Sequence, residues 1–138
     1  MALTKIFFAG ALAGVLGVLT SWLVTGVAFH PYQRLTPATW RATEGPRQYA
    51  LASGATVLAA VMIVLFFSLT GGVHVLAGAG WLLQGLFFGF LCWAALGVPV
   101  LFSIALFVNV HRGVVVGLLL DWLLVSLLAG VAAAWTLR

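Results

Sequence analysis

Charge is what this sequence has least of. Among 138 residues there are 2 acidic and 6 basic side chains, so 6% of the chain is charged, against about 25% in a typical soluble domain. From residue 48 to residue 111 there is no Asp, Glu, Lys or Arg. That leaves too little charge to cover a water-soluble globule, and at 64% hydrophobic residues the chain is far too apolar for disorder. The single cysteine, Cys92, lies in an apolar run, which excludes an internal disulfide and points to packing. Histidine pairs at helical spacing, Cys-x-x-Cys-His and carboxylate clusters are all missing, and His30, His74 and His111 fall at the ends of apolar runs. No metal, haem or other cofactor is therefore expected. Nor is a Ser-His-Asp arrangement, because the candidate acid is in mid-span, so an enzyme is not expected. The net charge of +4 comes from six scattered basic residues that make no patch. Nucleic acid is not an expected partner; topology and contact with lipid head groups are the reading of these charges.

What is present is hydrophobic length. Apolar runs over about residues 3–29, 49–70, 80–108 and 114–135 are each long enough to cross a hydrocarbon core of about 30 Å. In lipid each backbone N–H and C=O must be paired, which leaves helices or a closed barrel, and no alternating ten-residue segments of the barrel type occur. The fold class is all-α: a polytopic membrane protein, one domain over 1–138, built as a bundle of four transmembrane helices with a polar loop at 30–48. Lys5 followed by apolar residues imitates a signal peptide, but Ile6 to Phe29 is too long for its hydrophobic region, and a retained first helix is expected. The third helix has about 29 residues, ~43 Å, so it must tilt or bend, and Pro99 is the expected bend. In the first loop Thr36 and Pro37 suggest the N-cap and first position of a short surface helix. Tyr32 and Trp40 suit the head-group level, and Arg41, Glu44 and Arg47 can pair locally.

Orientation follows from the basic residues. Arg34, Arg41, Arg47 and Arg112 sit in the first and third loops, against Lys5 and Arg138 on the other side. This favours cytoplasmic first and third loops, with both termini outside the cytoplasm. Arg34, Arg41 and Arg112 are also candidates for holding an anionic lipid or substrate.

Small residues form stripes. Gly10, Gly14, Gly17, Ser21 and Thr25 share one face of the first helix. Gly85 and Gly89 repeat the spacing in the third helix, and Ser126, Gly130 and Ala133 or Ala134 in the fourth. Such stripes let another helix backbone approach closely, within the bundle or between protomers.

Asp121 is the one acid inside an apolar run. Burying it at a helix centre costs roughly 2.5 to 3.5 kcal/mol on insertion scales, so it should face the bundle interior. It is either a proton relay, ion site or substrate contact, or a neutral carboxyl bonded to a neighbouring helix. Counting inward from the first and third loops puts Asp121 ~13 Å deep. Thr20, Ser21, Thr25, Ser53, Thr56 and Ser103 fall in the same half of the membrane, while the other half offers mainly Gln84 and Cys92. A polar layer or shallow vestibule open toward loops one and three is the expectation.

LTSWLVTGVAFHPYQ at the end of the first helix, PATWR in the loop and GLLLDWLLVSLLAGVAAAW in the last helix together resemble the bacterial four-helix membrane families catalogued as domains of unknown function. That resemblance implies the four-helix fold and no particular reaction. Small multidrug-resistance transporters share size and helix count, but their working acid is in helix one, which has none here. Two functions remain. One is a non-enzymatic helix-packing protein, a homo-oligomer or an accessory subunit of a larger membrane complex. The other is a small proton- or ion-coupled transporter or channel using Asp121.

Overall fold

The computed structural model describes residues 2–40, 45–71, 76 and 78–137. The described residues are almost entirely helical and contain no strand. Four helices are long and apolar enough to cross a membrane: Leu3–Ala28, Pro46–Thr70, Trp81–Phe107 and Arg112–Thr136. The chain is an all-α bundle of four such helices, a multi-pass membrane protein.

The first span is α1, Ala2–Ser21, continued by a π-helical stretch at Trp22–Ala28. After it come a single helical turn, α2, at His30–Gln33 and a 3-10 turn at Pro37–Thr39. The second span, α3, covers Pro46–Thr70. The third span is α4, Trp81–Cys92, a π-helical stretch at Trp93–Gly97, and α5, Val98–Phe107. The fourth, α6, is Arg112–Thr136.

The ends of these helices follow from local chemistry. Pro46 stands at the first helical position, where its missing N–H costs nothing, so α3 begins three residues before the apolar run. The side chain of Gln48 accepts from the Gly45 N–H at 3.1 Å, one half of a capping box. At its other end Gly71 adopts φ 67, the left-handed geometry that closes a helix. Gly71→Ala is expected to lower stability by about 1 kcal/mol, because a Cβ is strained there; unfolding in mixed detergent micelles measures it. For α6 the cap is His111, whose Nδ1 accepts from the Gly113 N–H at 3.0 Å.

Two expectations need correcting. The surface helix foreseen after Thr36 is only the 3-10 turn, and Thr36 makes no side-chain capping bond. Thr39 instead donates its hydroxyl to the Asn109 carbonyl and ties the turn to the third loop. The irregularity assigned to Pro99 lies just upstream of it. Proline offers no N–H to the Ala95 carbonyl and its ring crowds that turn. The helix widens before the proline, and Val98 N–H bonds back to the Trp93 carbonyl, five residues away. Pro31 follows the first π stretch, where Phe29 N–H reaches the Val24 carbonyl at 2.9 Å.

The fourth span is the hub, packed against α1, α3 and α4, while α1 and α3 also pack on each other. The apolar core joins all four spans through Ile6, Val64, Phe67, Phe88, Cys92 and Ala133. Phe88 meets Phe67 edge to face at 5.0 Å. Most other large apolar side chains point outward, as a bilayer allows.

The glycine stripes are used inside this bundle. A Cβ at Gly10 would stand 2.5 Å from Val61 Cα, and one at Gly14 2.7 Å from Val57 Cα, so α1 and α3 touch backbone to backbone. On the other side, a Cβ at Gly85 would stand 2.7 Å from the Gly130 carbonyl oxygen, and one at Gly89 would run into the Ser126 carbonyl. A Cβ at Gly17 would stand 3.2 Å from Val125 Cγ2, a tight side-chain contact, and 3.4 Å from Thr56 Cγ2.

Candidate intramembrane site

The antiparallel packing of the first and fourth spans sets the site. Gly117 takes the Phe29 ring against its face, Gly113 takes the Tyr32 ring, and Gly17 meets Val125. Between these levels Ser21 stands opposite Asp121. The Ser21 hydroxyl donates to Asp121 Oδ1 at 2.6 Å. Asp121 is 8% exposed, so the acid is turned into the bundle.

The other residues of the expected polar layer are placed differently. Thr25 is next to the pair, but its hydroxyl donates to the Ser21 carbonyl at 2.7 Å. Thr20 does the same to Gly17, and Thr56 to Ala52. Ser103 is exposed on α5 and bonds the Pro99 carbonyl of its own helix. Serine and threonine satisfy themselves this way whichever direction they face, which is why shared depth did not translate into a shared site. In the opposite half Gln84 Nε2 bonds the Leu76 and Ala79 carbonyls and secures the second loop.

Arg34 and Arg112 are exposed at the face of loops one and three. Arg41, Glu44, His74 and Arg138 lie outside the described residues. Among the described residues no three His, Cys, Asp or Glu side chains converge as a metal site would need.

Trp93 was missed as part of this region. Its Nε1–H donates to the Leu119 carbonyl at 2.9 Å, which pins the third span to α6 two residues from Asp121. Both stretches flanking the acid are π-helical, and in both a tryptophan lies over the glycine four residues on. A Cβ at Gly26 would meet Trp22 Cδ1 at 3.4 Å, and one at Gly97 would meet Trp93 Cδ1 at 3.3 Å. The signal was in the sequence: WLVTGV and WAALGV share Trp-x-x-x-Gly-Val, with Pro31 four residues after the first and Pro99 directly after the second.

Chemically, the site is one carboxyl and one hydroxyl. A calcium ion needs six to eight oxygen ligands and magnesium six; here Thr25 is committed elsewhere. The arrangement suits a single proton, held on the carboxyl or given up, with Ser21 as its hydrogen-bond partner. Comparison with protein-family models, with curated proteins and with solved structures finds no match to this chain.

Proposed function

We propose that the protein is a non-enzymatic, proton-coupled transporter or channel in which Asp121 takes up and releases the proton. One observation carries this reading: the only acid within a span is buried against another span, at the depth where both flanking helices leave α geometry. An intramembrane acid is costly, and π-helical turns cluster at working sites. The glycine stripes give less support to a partner-binding role, since Gly10, Gly14, Gly85, Gly89 and Gly130 are all spent within the chain. The protein works in a cell membrane of bacterial inner-membrane type, with loops one and three cytoplasmic.

The test is proton uptake by liposomes carrying the purified protein, read with an entrapped pH dye under an imposed potential. Acidification well above empty liposomes is the expected result. Acidification equal to that of empty liposomes overturns the reading.

A second reading, a homo-oligomer or an accessory subunit, has one observation in its favour. A Cβ at Gly54 meets nothing within 4 Å, and Leu51 and Leu58 beside it are exposed. The outer face of α3 therefore keeps a small residue where a further helix has room to approach. Crosslinking in the native membrane, with recovery of a defined dimer or complex, separates this reading from the first.

A further inference from the structure

Above the Ser21–Asp121 pair the first loop is fastened across the start of α6. Phe29 lies on Gly117 and Tyr32 on Gly113. The Tyr32 ring stacks on the His111 ring with centroids 5.2 Å apart and planes within 8°. Farther along, Thr39 is bonded to the Asn109 carbonyl. His111 thus does two things at once: it caps α6 through Nδ1 and forms one wall of the slot that holds Tyr32.

The cap exists only while Nδ1 is an acceptor. A neutral imidazole has one acceptor nitrogen and an imidazolium has none. Protonation would turn Nδ1 into a donor aimed at the Gly113 N–H. It would also put a positive charge at the N-terminus of a 25-residue helix, the end that repels cations. The charged group next to it on α6 is Arg112, of the same sign. From α2 the Tyr32 ring lies against it, and the α2 segment also carries His30. Among the described residues no carboxylate faces the ring to compensate. Histidine is the side chain that ordinarily changes charge between about pH 5 and 8.

We propose that His111 is a pH-sensitive latch. Neutral, it holds Tyr32 and the first loop against the start of α6; protonated, it leaves the cap and lets them go. The idea rests on the proton-coupled reading for its purpose, but not for its test.

Ala38 is exposed in the 3-10 turn, so a nitroxide on Ala38→Cys reports loop mobility in liposomes. Cys92 is buried, and the parent protein treated alike is the blank. At pH 8 the label should be restricted, and at pH 5 a mobile component should dominate. His111→Asn keeps a capping acceptor that does not titrate, so its label should stay restricted at both pH values. His111→Ala, with no acceptor, should be mobile at both. A spectrum unchanged between pH 8 and pH 5 overturns the latch, as does an Asn variant that responds like the parent. Repeating the measurement in Asp121→Asn separates the two ideas. The latch should still open there, so loss of flux with an intact mobility change bears on Asp121 alone.

Discussion

Asp121→Asn is expected to reduce protein-dependent proton uptake to the level of empty liposomes while leaving the fold in place. The substitution is nearly isosteric. An amide oxygen can still accept the Ser21 hydroxyl that now reaches Asp121 Oδ1 at 2.6 Å, so the contact between the first and fourth spans survives. What is lost is the ability to bind and release a proton. The structural and functional roles of the acid therefore part company in this one variant. If Asp121 only staples the two helices, Asn should serve as well as Asp and uptake should be unchanged. Ser21→Ala supplies the reverse control. It removes the donor and should lower stability by about 0.6 to 2 kcal/mol, the range for hydrogen bonds between membrane helices. The carboxyl itself would remain titratable, and uptake should persist at a reduced rate. Equal uptake from the Asn variant and the parent, with both folded, would end the assignment of Asp121 as the coupling group.

How much of this could be read beforehand differs by feature, for physical reasons. The spans were legible because the cost of burying charge in lipid acts on every residue, so a stretch from 48 to 111 without charge leaves few alternatives. That Asp121 and Ser21 lie at one depth was also legible, from a rise of ~1.5 Å per residue. Their contact was not, because depth says nothing about rotation about the helix axis; Ser103 shares the depth and faces outward. The glycine faces were legible as places of close approach, but a stripe does not name its partner, and only the packing shows Gly10 and Gly14 against Val61 and Val57. The starts of α3 and α6 lie three and two residues before the apolar runs, Pro46 against 49 and Arg112 against 114. Apolar runs report where lipid begins, whereas Pro46 and His111 fix where the helix begins. The cap at His111 was not legible, because a capping acceptor leaves no mark on hydropathy.

The second large effect concerns Gly130. A Cβ there would run into the Gly85 carbonyl oxygen and stand 2.9 Å from Gly89 N and 3.1 Å from Gly89 Cα. All three obstacles are backbone, so no side-chain rotation relieves the clash. Two effects oppose each other in Gly130→Ala. Removing a glycine from a helix interior favours the helix by about 0.5 to 1 kcal/mol. Forcing extra volume into a packed contact costs typically 1 to 3 kcal/mol. With backbone on both sides the cost should prevail, giving a net loss of about 1 to 2 kcal/mol. Gly130→Leu should go further and hold α4 away from α6, and with it the indole of Trp93 away from the Leu119 carbonyl. Gly54→Leu is the matched comparison, since a Cβ at Gly54 meets nothing within 4 Å. It should leave the monomer as stable as the parent. Unfolding in mixed micelles, with Trp fluorescence as the signal, should therefore shift sharply for position 130 and hardly at all for position 54. Equal tolerance at the two positions would mean that the close approach of α4 to α6 is not what holds the third span in place.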